Sequence, residues 1–195
     1  MASIALFAYG SLVDPASAAL TLGREVDRVR PARLAGHRRR FSQARDNRAC
    51  EKTFALADGS IPPFVLGLNI EPSEVAGPGP NGALLEVTDA ELDRLDLREM
   101  RYDRTELDPA SIAAEAAPGF DRVFTYFAKR AHLATRPPTG AVILASYAET
   151  VERAFARLGE SARATYLETT LPYPAEVVEA HLVADAIPEG NPRSW

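Results

Sequence analysis

The apolar run Ile4 to Ala8, and the turn Tyr9-Gly10-Ser11-Leu12 that stops it, set the strongest limit on how this chain can fold. Five consecutive apolar residues suit a strand crossing a domain core and are far too few to span a membrane. Glycine at the stop allows backbone angles that other residues resist. A strand ending there presents consecutive backbone N–H groups, which can hold an anion or a polarised carbonyl. An ordinary strand-to-loop turn accounts for the same residues. Asp14 followed by Pro15 then reads as a helix N-cap with proline at the first helical position. The helix should run to about Leu22 and end at Gly23. The positive end of its dipole would lie beside the turn.

Length and composition bound what can surround that strand. The chain has 195 residues, 46% apolar and 25% charged, which suits one ordinary globular domain. The domain is expected over residues 1–187, with a proline- and glycine-bearing tail over 188–195. A net charge of -5 argues against nucleic acid or an anionic membrane as the main partner. No stretch is long enough for a membrane-spanning helix and no signal peptide is evident, so a cytoplasmic protein is expected. One cysteine, Cys50, and the scattered His37, His132 and His181 make no metal-ligand pattern. Neither a metal nor a cofactor is expected, and the sequence leaves the oligomeric state open.

Nine arginines fall between Arg24 and Arg48. The acidic net charge and the lack of interleaved aromatics oppose a nucleic-acid interface there. A pair of strands with arginines on the solvent face is the favoured reading, with one or two arginines binding a substrate carboxylate as the alternative. Thr53 to Ala57, Phe64 to Ile70, Ala83 to Val87, Tyr102 to Leu107 and Arg122 to Ala128 read as further strands. Helices are expected to start at capping boxes Thr88/Glu91 and Ser146/Glu149, and another from about Ser161 to Thr169. Glu176 to Leu182 reads as one or two helical turns.

Two residues on these helices carry chemical interest. Leu92 and Leu95 form an apolar stripe, and Glu99, four residues after Leu95, falls on the same stripe. A carboxylate facing the core is unusual and can serve as a general base or acid. Equally, the helix could stop near Arg98 and leave Glu99 to pair with Arg101 or Arg104. Tyr147 heads a second stripe, Tyr147, Val151, Ala154, Phe155 and Leu158, so its ring should face inward, either as core or as a pocket wall.

Taken together, Tyr9-Gly10-Ser11, Leu95-Asp96-x-x-Glu99 and Tyr147 twelve residues before Gly159 resemble the gamma-glutamylcyclotransferase-like superfamily over about Ile4 to Leu167. Gly36-His37-Arg38-Arg39-Arg40-Phe41 and Leu95-Asp96-x-Arg98-Glu99 look like segments of its ChaC branch. Asn47-Arg48-Ala49 stands where that branch carries Arg-Gly-Thr, and Leu12 stands where many members carry asparagine. The resemblance implies an α+β fold, a small mixed β-barrel flanked by helices. It implies Glu99 as the catalytic residue, with Tyr9, Gly10, Ser11, Leu12 and Tyr147 binding a small gamma-glutamyl substrate.

In such enzymes the substrate's own alpha-amine attacks its gamma-carbonyl, giving 5-oxoproline and releasing the amine, amino acid or dipeptide beyond it. Glutathione metabolism is the implied setting. The alternatives are a gamma-glutamylamine cyclotransferase and, in a different class, a small-molecule binding module or scaffold that does no chemistry. Ser11 is a poor nucleophile candidate, since no histidine or lysine accompanies it in a pairing motif.

Overall fold

All five residues of β1, Ile4–Ala8, are buried, because this strand is covered along both edges and both faces. The computed structural model describes residues 3–74, 77, 79–114 and 119–192. After β1 come a 3-10 turn, Ser11–Val13, and helix α1, Pro15–Leu22. Next are strands β2 (Arg30–Leu34), β3 (His37–Asp46), β4 (Lys52–Ala55), β5 (Phe64–Pro72) and β6 (Asn81–Val87). Helix α2 (Asp89–Arg98) is followed by β7 (Tyr102–Leu107), β8 (Ile112–Ala114), β9 (Arg122–Ala128) and β10 (Ala141–Leu144). The chain closes with α3 (Ala145–Arg157), α4 (Glu160–Thr169), β11 (Glu176–Val178) and β12 (His181–Asp185).

The strands form a six-stranded sheet in the order β7-β9-β1-β6-β2-β8 and a four-stranded sheet in the order β11-β10-β5-β3. A two-stranded ribbon pairs β12 with β4. β1 runs antiparallel to β6 and parallel to β9, so an apolar run without alternation is what its central place demands. A Cβ at Gly82 would collide with the Ala8 carbonyl and the Phe7 ring, so glycine there lets β6 approach β1. The sheets curl into a mixed half-barrel with four helices around it, the α+β architecture expected. Two hydrogen bonds join the sheets beside the open side: Tyr102 Oη donates to Leu68 O at 2.7 Å, and Ala128 N donates to Asn69 Oδ1 at 2.9 Å.

Local signals placed several elements well. Asp14 caps α1 by accepting from Ala16 N, Pro15 sits at its start, and Gly23 ends it. Thr88 and Glu91 form the reciprocal capping box of α2. Three expectations are corrected. Ser146 lies inside α3, whose N-cap is Leu144 and makes no side-chain cap, because β10 runs straight into the helix. Glu176 to Leu182 holds β11 and the start of β12 rather than helical turns, held by backbone pairing to β10 and β4. Third, the basic strands do not keep all their arginines in solvent. Arg39 is fully buried, and Arg45 is nearly so. The loop expected over 77–82 and the segment 108–120 fall partly, and the tail over 188–195 also partly, outside the described residues.

Candidate active site

The residues singled out in the sequence come together. A recess of about 50 Å³ at the end of β1 is lined by Tyr9, Gly10, Ser11, Leu12, Glu99 and Tyr147. A larger cavity of about 270 Å³ adjoins it, and the two share Ser11, Glu99, Tyr102 and Tyr147 as walls. β1 and its 3-10 turn supply one wall, the end of α2 the second, and the first turn of α3 the third.

The turn is built by Val13 N donating to Gly10 O at 3.1 Å and Asp14 N donating to Ser11 O at 3.2 Å. As at any helix start, the N–H groups of Ser11 and Leu12 have no partner within the turn itself. The start of α1 is taken by the Asp14 carboxylate, which also pairs with Arg157. Whatever anion-binding character this corner has therefore belongs to the turn, not to α1.

Gly10 stands on the wall of the recess. Its φ is -132°, so no left-handed backbone is needed. A Cβ there would stand 3.8 Å from a Leu68 methyl and 3.9 Å from Tyr147 Oη, ordinary contact distances on the wall of the recess. Glycine keeps the recess open. Gly10→Ala should therefore fold with a Tm within about 2 °C of wild type while narrowing the recess. Steady-state kinetics on whatever substrate the protein takes should show KM rising about tenfold.

Glu99 is the one carboxylate among the residues lining the recess. Helix α2 stops at Arg98 and Glu99 is its C-cap, so the helical stripe does not extend to it. The side chain still turns inward, with only 13% of it exposed. It pairs with the adjacent Arg98, whose Nε donates to Glu99 Oε1 at 3.0 Å. The same guanidinium donates to Ser11 Oγ at 3.2 Å, to Ser17 O and Oγ at 3.4 Å, and to Thr21 Oγ1. Arg98 thus ties the carboxylate to the Tyr9–Leu12 turn and to α1, joining two walls of the recess.

Tyr9 and Tyr126 face the recess as neutral donors. Burial pushes the Tyr9 hydroxyl well above its usual range, and the Glu99 carboxylate pushes it further, against the pull of Arg39. It donates to Tyr126 O at 2.6 Å. Tyr126 is raised by burial and by its hydrogen bond to Asp96, to which it donates at 2.6 Å.

No protein family model and no curated protein matches the chain. Solved structures do. A gamma-glutamyl cyclotransferase, 17% identical, superposes with a TM-score of 0.54 over 91% of this chain and 94% of its own. An uncharacterised human protein, also 17% identical, gives 0.56 over 92% and 95%. A yeast gamma-glutamyl cyclotransferase specific to glutathione, 13% identical, gives 0.52 over 87% and 98%. The chain has the gamma-glutamyl cyclotransferase fold.

Within this cyclotransferase fold, four further residues border or brace the recess without a role of their own in the sequence reading. Arg98 stands inside the Leu95–Glu99 segment but was given no role there. Tyr102, three residues after Glu99, walls both spaces. Tyr126 sits on β9, whose apolar run says nothing about its hydroxyl. Arg39 lies behind the turn, and its Nη1 donates to Tyr9 O at 3.2 Å and to Asn81 O at 2.7 Å.

Behind the larger cavity, Arg101 donates to both oxygens of Glu51, whose side chain is 6% exposed. Burial opposes the Glu51 charge, but these hydrogen bonds, with help from the charges of Arg101 and Arg45, outweigh it and hold the carboxyl at about 2 against an ordinary 4.5. Its folded value lies below its unfolded one, so the pair's stabilisation is complete above about pH 4.5 and is lost as pH falls towards 2. Thermal melts of wild type and Glu51→Gln should diverge at neutral pH and converge across that window. No helix among the described residues is long and apolar enough to cross a membrane, and no three His, Cys, Asp or Glu side chains among them gather as a metal-binding group.

Proposed function

We propose that the protein is a gamma-glutamyl cyclotransferase, with Glu99 as general base and acid and the Tyr9–Leu12 turn as the cradle for the gamma-glutamyl carbonyl. The observation that carries the reading is the shared recess: Glu99 faces Gly10, Ser11, Leu12 and Tyr147 across it. The substrate's alpha-amine nitrogen bonds to its gamma-carbonyl carbon, closing a five-membered ring. Glu99 takes the proton that the attacking amine must lose. Negative charge gathers on the former carbonyl oxygen, where the N–H groups of the turn stabilise it. The bond to the leaving nitrogen breaks as Glu99 returns the proton to it. The products are 5-oxoproline and a free amine, with all atoms of the substrate retained between them.

Nucleophile and electrophile belong to one molecule, so holding it bent accounts for much of the acceleration. Tyr147 and the turn supply the walls that enforce the bend. The experiment is a side-by-side assay of purified protein for 5-oxoproline from glutathione, gamma-glutamyl amino acids and gamma-glutamyl amines. Release from at least one class supports the reading. Binding without release from any class points to the non-catalytic module on the same fold.

A further inference from the structure

Glu99 borders both the recess and the larger cavity. A substrate whose scissile bond lies beside it would place its gamma-glutamyl part in the recess and its leaving group in the cavity. Phe54, Val65, Leu66 and Leu144 give that cavity an apolar side. Gln43 belongs to the same lining, across from Gly67 on β5. It is 6% exposed, and its carboxamide nitrogen is buried with no hydrogen-bond partner among the described residues. Folded proteins keep few buried donors in that condition, because an unmade hydrogen bond is costly there.

The backbone aims this side chain. Phe41 pairs with Leu68 and Gln43 with Gly67, and Ser42 is the extra residue of a bulge between them. Leu68 and Gly67 are neighbours on one strand and face opposite ways, so the bulge sends Phe41 and Gln43 to opposite faces too. Phe41 joins the core and Gln43 the cavity. Strict alternation would have put both on one face. Glycine at 67 then makes room for the carboxamide. Its backbone is not left-handed, so space is the reason for it. A Cβ there would stand 2.8 Å from Gln43 Oε1 and 3.2 Å from Tyr102 Oη, which is itself tied to Leu68 O. The Gln43 head group thus rests where the side chain of residue 67 would otherwise stand, on the cavity wall. A terminal amide turns readily about its last bond, so its N–H groups can meet an acceptor lying there.

We infer that, given the cyclotransferase reading on which this rests, Gln43 is a specificity-determining residue whose amide N–H donates to a carbonyl or carboxylate oxygen of the leaving group. Amino acids and peptides carry such an oxygen one carbon beyond the carbon that bears the leaving nitrogen. A plain alkylamine fills the same apolar space but leaves the buried donor without a partner. A site built to hydrogen-bond a group rejects the analogue that lacks it.

The test measures kcat/KM for 5-oxoproline release from gamma-glutamyl-leucinamide and from gamma-glutamyl-3-methylbutylamine. The two leaving groups share an alkyl chain, neither has a carboxylate, and only the first has a carbonyl. Wild type should favour the leucinamide substrate by about tenfold or more. Gln43→Met keeps the length without the donor and should bring the ratio near one. Its Tm should equal or exceed that of wild type, because the nitrogen it removes has no partner in the fold. Gly67→Ala should push the head group aside and lower the ratio with Gln43 still present. A wild-type ratio of one or below overturns the assignment, as does an unchanged ratio in either variant. If Gln43→Met does not fold, the ratios of wild type and Gly67→Ala decide alone. Equal release from both substrates overturns this inference and leaves the cyclotransferase reading standing. Release from glutathione or gamma-glutamyl-leucine but from neither of the two does the same. Release from none of the four overturns both.

Discussion

Glu99→Gln is expected to lower 5-oxoproline release by about a thousandfold while leaving the fold in place, since a positioned general base contributes roughly 10²–10⁴. Glutamine matches glutamate in shape and keeps an oxygen for Arg98 Nε to reach, so the 3.0 Å contact survives as a neutral hydrogen bond. What is lost is the ability to accept a proton from the attacking amine and return it to the leaving nitrogen. The effect should fall on kcat, with KM and Tm close to wild type. Because Arg98 also holds Ser11 and α1, the arrangement of the turn is anchored independently of the Glu99 charge. Wild-type release by this variant would remove Glu99 from the mechanism and the cyclotransferase proposal with it.

The second large effect is expected at a residue that touches no substrate. Arg39 is fully buried among uncharged acceptors. Its guanidinium donates to Tyr9 O, Asn81 O and Asn81 Oδ1, and to the hydroxyls of Thr169 and Thr170. It also lies 4.8 Å and 4.5 Å from the ring centres of Phe155 and Tyr166, which stack on each other. Burial pushes its titration down to about 9, which still leaves it charged at neutrality.

Arg39→Met keeps much of the volume and the ring contacts but strips the donors from several buried acceptors. Each orphaned acceptor costs about 1–3 kcal/mol, and relief of the buried charge offsets part of the sum, so a loss of about 3–5 kcal/mol is expected. For a domain of this size the Tm should fall by roughly 10 °C. The variant's residual folded fraction should also show a raised KM, because Tyr9 O no longer has its anchor. Arg39→Lys keeps the charge without the planar fork and should fall between the two. A Tm unchanged in Arg39→Met would show the guanidinium network to be dispensable.

Arg39 also shows where sequence reading stops. The capping residues of α1 and α2 were legible because caps act within a few residues of themselves. Glu99 and Tyr147 were legible as oddities on apolar stripes, although the helix carrying Glu99 ends one residue earlier than the stripe suggested. Arg39 gave no such sign. Alternation along β3 tells which residues share a face, not whether that face meets water, and α4 is what covers it. β12 was missed for the opposite reason. All five of its residues are exposed, so pairing with β4 rather than burial defines it, and pairing partners leave no local trace. Gly10 is legible as a turn residue, while the space in front of it, bounded by Leu68 and Tyr147, is visible only once β5 and α3 are in place.

The brace on Tyr9 has a consequence for how the site is assembled. Tyr9 leaves the ribosome before its partners: its carbonyl accepts from Arg39, and Arg39 in turn donates to Asn81 and to Thr170, 131 residues after it. The Tyr9 hydroxyl likewise waits for Tyr126, 117 residues away. Chains grow from the N-terminus, so the turn exists long before anything can hold it rigid. A nascent chain or a fragment ending before α4 would contain every residue of the recess, with Arg39 behind it still short of its Thr169 and Thr170 partners. Helix α4, which contributes no wall to the recess, closes the shell around the arginine that braces it from behind.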